Sequence, residues 1–403
     1  MIRMRAWTPA NRISEDRAGS RTAARSGSAP ASVPLGSGRR AAACLALALA
    51  AVLLASCWDK TELNELAIVT MVGLDEDPDT GRKTIYYQVV NPLMAVTSRG
   101  TAGGDQAPVY TYEVSGRSYG EIRASLYRIL PRKLFIAYYR AVVVSERMAR
   151  RDLRDKVNLI QIQPQGRASV PVLIAREPMD KVMYTLTPLE MYPGESVSLR
   201  LSLLKDESLL VGKRIAVRDL VERMERSESV VLPMLETVGE APSPEFSRMT
   251  GTVDVRNSNM QITGGAVIRD YRMTGTLDNH LLIAYNLLKG NKGWFIRQFH
   301  VDGKPITLTG RLVRIERSLG DAPRILINID VALQFAIEQM PRTEKEVHKL
   351  EREVAAQLEE EMREVCRQGR KLGLTLPNIR NLEDVRVKVT ARLEHISGIN
   401  QTF

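Results

Sequence analysis

The 403-residue chain has only three cysteines and four histidines, and both shortages exclude chemistry. His280, His300, His348 and His395 have no Cys, His or acidic partner at transition-metal ligand spacing, so no zinc site is expected. The Gly-containing stretch Thr101–Gly104 lacks the Lys-Ser/Thr of a phosphate loop, and there is no G-x-S-x-G turn to present a nucleophilic serine. Asp75, Asp77 and Asp79 surround Pro78, but the glycine and bidentate glutamate of a calcium loop are missing, so a turn between two strands is expected there. Glu359-Glu360-Glu361 reads as a solvated helix face. No catalytic residue, metal or cofactor is therefore expected. A long apolar run is also lacking around the amino terminus: Ala41–Leu53 is too short for a stable membrane span.

What is present around that stretch is more specific. Arg39-Arg40 precedes it, and Leu54-Ala55-Ser56-Cys57 follows it. Basic residues, a short apolar stretch and small residues before a cysteine form the pattern of a bacterial lipoprotein signal, cut ahead of a lipidated cysteine. Cys57 is thus the expected lipidation site and the first residue of the mature chain. A thioether-linked diacylglycerol there would supply two acyl chains, enough to hold a folded body firmly on a bilayer. Residues 1–56 are expected to be a disordered extension plus signal peptide. The first 38 are rich in Arg, Ser, Ala, Gly and Pro and have no apolar period. No Met lies between Met4 and Met71, so a shorter product would need a non-Met start codon, at Val33 or Leu35 for instance.

Cleavage changes the charge and cysteine arguments. The 56 leading residues hold eight Arg, no Lys and only Glu15 and Asp16, and so account for most of the net charge of +10. The remainder carries 49 basic and 45 acidic residues, a near balance that argues against nucleic-acid binding and leaves weak attraction to anionic headgroups. Cys44 leaves with the signal, Cys57 would be lipidated and Cys366 stands alone, so no disulfide forms within the mature chain and stability must come from core burial.

The expected fold class is α+β with two to three domains, in which mixed or antiparallel sheets pack with helices and a long amphipathic helix lies near the carboxyl terminus. Residues 84–90, 109–114, 141–144 and 170–175 are rich in β-branched and aromatic residues bounded by turn-formers, the strand signature. Between them, residues 119–130 place Ile122, Leu126 and Ile129 at helical spacing up to Pro131. The pattern dissolves over residues 236–258, so residues 57–250, with two possible subdomains, and residues 251–403 are expected as separate regions. In the second, 266–268, 307–316 and 325–333 read as strands and 281–288 as a helix. The strongest helix runs from Thr343 to about Gly369. Thr343 and Glu346 form a capping box, and Val347, Leu350, Val354, Leu358, Met362 and Val365 make an apolar stripe expected to pack on its own sheet. Cys366 sits beside that stripe as a buried small residue, and Val385–Leu393 alternates as a half-exposed strand.

The residues after Cys57 carry a resemblance. Cys57-Trp58-Asp59-Lys60-Thr61-Glu62-Leu63-Asn64-Glu65-Leu66-Ala67-Ile68-Val69, then Val72-Gly73-Leu74-Asp75 and Val89-Val90-Asn91-Pro92, resembles the start of the Ger(x)C family of spore-germination lipoproteins. The likeness continues through Leu130–Phe135, Val142–Arg150 and Thr187–Glu190, and resumes at Gly265–Val267 and in the capped helix. It departs at Tyr138-Tyr139, where family members commonly carry a His, and over Cys366–Asn378. The resemblance implies a non-enzymatic C subunit of a nutrient germinant receptor, held by its lipid outside the inner spore membrane. The implied partners are A- and B-type integral-membrane subunits and membrane lipid, with no nucleic acid. Trp58 is expected either at headgroup depth or in the first domain. A solute-binding lipoprotein of a transporter would share the anchor but should show two similar lobes of repeated parallel units, which the sequence does not display; a tethered cell-wall hydrolase would need a carboxylate pair or metal set.

Overall fold

The strand Leu66–Glu76 is buried or half-buried along its whole length. A strand without a wet face must be covered on both sides, and this one organises the larger sheet. The computed structural model describes residues 62–91, 108–162, 166–187, 190–209, 214–238, 259–319, 325–335, 341, 343–379, 382 and 384–394, with Gly38, Ala42 and Leu45 in the amino-terminal segment. From residue 61 onward the chain forms one compact unit.

Its elements are β1 (Leu66–Glu76), β2 (Lys83–Val90), β3 (Val109–Gly116), α1 (Tyr119–Ile129), β4 (Lys133–Phe135), β5 (Ala141–Ser145), α2 (Glu146–Arg151), α3 (Arg154–Ile162), β6 (Val172–Ala175), α4 (Met179–Tyr184), α5 (Pro193–Glu207) and α6 (Val217–Glu225). They continue with β7 (Val230–Val238), β8 (Asn259–Arg269), β9 (Arg272–Leu277), α7 (Asn279–Lys289), β10 (Trp294–Val301), β11 (Lys304–Leu319), β12 (Ile325–Phe335), α8 (Glu344–Leu372) and β13 (Val385–Leu393). The result is a mixed α and β architecture with two sheets and a long carboxyl-terminal helix, as the sequence led us to expect.

The nine-stranded sheet has the order β3-β2-β1-β5-β6-β7-β8-β9, with β4 paired to the start of β1. Its centre is parallel: β1 with β5, β5 with β6 and β6 with β7. The flanks are antiparallel. Successive side chains of a strand point to opposite faces, so Val142 and Val144 enter one core with Ile122, Leu126, Met148, Val157, Leu220 and Met224 from α1, α2, α3 and α6, and with Leu153 from the α2–α3 link. Ala141 and Val143 enter another with Met179, Val182, Met183, Val197 and Leu201 from α4 and α5. This parallel centre departs from the sequence reading, in which no repeated parallel units were seen. It forms one sheet rather than two similar lobes.

The sheet also runs across the division expected at residue 250, because β8 and β9 extend it from β7. A third core mixes both halves: Val231, Val267 and Leu277 pack with α7, α8 and the strands of the second sheet. That sheet has the order β10-β11-β12-β13, with the β12–β13 pair parallel. On β10, exposed and buried residues alternate without a break. Phe295 lies opposite Gly310 on β11, where a Cβ on Gly310 would stand 2.2 Å from the ring, so only glycine lets the ring lie across the neighbouring strand. Helix α8 opens with the expected Thr343–Glu346 capping box, buries Leu350, Val354, Leu358, Met362, Val365 and Cys366, and ends on Gly373 at φ +66°.

Candidate functional site

The parallel centre leaves a cleft outside the carboxyl ends of β1, β5 and β6, the place where open α/β sheets commonly present ligands. The cleft has a volume of about 630 Å³, and its charged lining comes from the strand ends, from α2, from the start of α4 and from Glu113 on β3. Each contributor is placed by an ordinary local rule. Ser145 ends β5 and caps α2, its side chain accepting from the Met148 amide. This puts Arg147 in the first turn, where its guanidinium clasps Asp75 at the end of β1: Nε donates to Oδ1 at 2.7 Å and a second contact joins Nη2 to Oδ2.

Burial alone would raise the Asp75 carboxyl, but hydrogen bonds from Arg147 and Ser145 and the charge of Arg147 outweigh it and hold the group below its ordinary value of 3.8. Across the cleft, Tyr86 on β2 pairs in register with Glu113 on β3, and the phenol hydrogen-bonds that carboxylate. Burial, followed by the charges of Asp180 and Asp75, raises Glu113, while burial and the charges of Glu113 and Asp75 push the Tyr86 phenol well above its usual range.

The other cations already have partners. Arg150 pairs with Glu146, Arg176 with Glu236, and Lys181 with Glu177. Glu177 also accepts from the Thr237 amide at 2.8 Å, which ties the start of α4 to β7. The lining includes Ser145, but its oxygen is committed to the α2 cap, and no His or Cys among the described residues lines the cleft. Asp75 is held ionised and Tyr86 protonated at neutral pH, so neither is poised to exchange a proton. The arrangement can hold a polar molecule by charge and hydrogen bonding; among the described residues it shows no nucleophile paired with a base. Among the described residues, no group of three or more His, Cys, Asp or Glu side chains could hold a metal ion.

The sequence-stated lipidation site, Cys57, and Trp58 both lie outside the described residues. Of the three aspartates around Pro78, Asp77 makes the turn, its Oδ1 accepting from the Asp79 and Thr80 amides at 2.9 and 2.8 Å. Asp75 is instead the anchor of Arg147, a pairing across 72 residues that local reading missed. Its one sequence sign was an acid closing an otherwise apolar strand. His280, His300 and His348 are exposed. Cys366 is buried, and burial pushes its thiol up to about 11, away from the reactive thiolate.

Two family matches now decide the classification. Residues 59–237 match the spore germination protein N-terminal domain, and residues 263–374 match the spore germination B3/GerAC-like C-terminal domain. The chain belongs to the GerAC-like spore germination protein family. This family is not known for enzymatic activity. Spore germination protein KC of Bacillus subtilis (strain 168) is 26% identical over 196 residues, 48% of each chain. YfkR of the same strain is 25% identical over 248 residues, 61% of this chain and 60% of that protein. The chain thus spans about half to three fifths of the length of these relatives. The crystal structure of the GerBC protein aligns with a TM-score of 0.47 at 12% identity, covering 80% of this chain and 97% of that one. Among the described residues, no helix of this germination-family chain is long and apolar enough to cross a membrane.

Proposed function

We propose that this protein is the lipid-anchored C subunit of a spore nutrient germinant receptor, without enzymatic activity of its own. In this reading it is held by diacylglycerol on Cys57 at the extracytoplasmic face of the inner spore membrane. It acts there by contact with A- and B-type integral-membrane subunits. The observation that supports the proposal is the germination-family match starting at Asp59, directly after the basic, apolar and small residues of Arg39–Cys57 that read as a lipoprotein signal. Tethering confines the body to the membrane plane and raises its effective concentration near membrane partners.

Purification of the Cys57 protein and a Cys57→Ala variant from sporulating cells, with mass spectrometry of co-purifying proteins, tests this directly. Recovery of two integral-membrane germination subunits, reduced when the anchor is lost, is expected. Recovery of transporter permeases instead, or of no membrane partner, would overturn the assignment.

A further inference from the structure

We propose that the end of the large sheet opposite the cleft, built from the last turn of α1, the α1–β4 turn and the start of β1, rests on an anionic lipid bilayer. This rests on the reading of Cys57 as the lipidated residue. Lys133 on β4 pairs with Leu66 at the start of β1, so the α1–β4 turn lies beside the point where the chain enters its sheet. Only five residue steps separate Cys57 from Glu62, the first described residue there, a reach of at most roughly 17 Å. A bilayer holding Cys57 is therefore within a short tether of this end.

The surface has the chemistry of an interface. Ile122 and Leu126 of α1 are buried, but Ile129, one turn further on and expected on the same stripe, is 52% exposed, and Tyr127 is 63% exposed. Arg123 stacks over the Tyr127 ring. Arg128, Arg132 and Lys133 have no ion pair among the described residues, and Arg128 and Lys133 are exposed. Asn64, Glu65, Tyr127, Pro131, Arg132 and Lys133 border a shallow hollow of about 660 Å³. Three bases thus stand in this region with two exposed acids, Glu62 and Glu65. Exposed apolar and aromatic side chains among unpaired bases suit the headgroup layer of an anionic membrane, where rings sit at the interface and bases meet lipid phosphates.

The orientation has a consequence for the cleft. At ~3.3 Å per residue, β1 carries Asp75 roughly 30 Å from Leu66, so the cleft opens away from the bilayer.

The test uses residues 57–403 with Cys57→Ser, which retains the whole compact unit from residue 61 onward and removes both the acyl chains and the basic leader. Its sedimentation with phosphatidylcholine vesicles is compared with that of vesicles containing phosphatidylglycerol. Binding to the anionic vesicles that weakens with salt is expected, together with a loss of about 25-fold in Arg132→Gln/Lys133→Gln, about fivefold per base. Arg363→Gln/Arg367→Gln, on the outer face of α8, should bind as the parent does, and thermal melting verifies that all three are folded. Equal binding of Arg132→Gln/Lys133→Gln and the parent, equal binding to both vesicle types, or none to either, would overturn the proposal. The mass of the Cys57 peptide from the native protein reports the anchor separately: a lipidated Cys57 with an inert patch rejects only the patch, whereas an unlipidated Cys57 rejects the anchor reading.

Discussion

Strands β5 and β10 are both well packed, yet every residue of β5 is buried while β10 alternates exposed and buried from Trp294 to Val301. The first lies between two helical layers and the second at the edge of a sheet covered on one face. The double covering places strand ends and helix starts together and so makes the cleft; the single covering makes a wall against α8. Burial also handles charge differently in the two places. Asp75 is buried but meets an Arg147 side chain that is about half exposed. Arg297 points inward between Phe295 and Phe299, with only 6% of its side chain exposed, and depends on Glu361.

Truncating the ring that crosses β11 is the severest way to test this comparison. Phe295→Ala should cost about 3–5 kcal/mol and Leu173→Ala, in the doubly covered centre, about 2–5 kcal/mol. Because one core joins β7–β9 to the second sheet, both variants should still unfold in a single calorimetric transition; two separated transitions would show that the sheets are energetically independent.

Next in size is the difference between the ion pairs. Glu361→Ala strands a buried guanidinium and should cost about 3 kcal/mol by urea denaturation, whereas Asp75→Ala releases Arg147 to water and should cost about 1 kcal/mol. Equal losses would mean that exposure of the arginine does not govern the cost.

The Asp75 contribution should also depend on pH in a defined direction. Its carboxyl lies below the ordinary 3.8 when folded, so its stabilisation is complete above that value and is lost as pH falls through the lower folded value. The melting temperatures of the parent and Asp75→Ala, recorded from about pH 6 down to 2, should therefore converge at the acid end. A gap unchanged at pH 2 would refute the assignment. The smallest effect concerns Cys366: iodoacetamide at about pH 8 should leave it unlabelled in the folded protein and label it fully in urea, because burial keeps its thiol protonated and covered.

Legibility in the sequence followed the same division. The α8 stripe, its capping box and the alternating β13 could be read because one face is wet, and a wet face writes a period into the chain. The parallel centre could not, since Ala141–Ser145 and Val172–Ala175 are continuous runs that carry no facing information. Ile129 shows the converse: its spacing suits the buried stripe, but α1 ends before any core partner reaches it. The Asp75–Arg147 contact had no local sign beyond an acid at the end of an apolar strand.

By itself, the sequence determined the family, most element positions and the amphipathic carboxyl-terminal helix, because each of these is written in contiguous residues or in a short period. Only the tertiary structure decided that β8 and β9 belong to the first sheet, that four parallel strands open a charged cleft at their carboxyl ends, and that Tyr127, Ile129, Arg132 and Lys133 share the opposite end with the start of β1. Those are contacts between segments distant in the chain, set by how buried faces stack, and no local pattern encodes them.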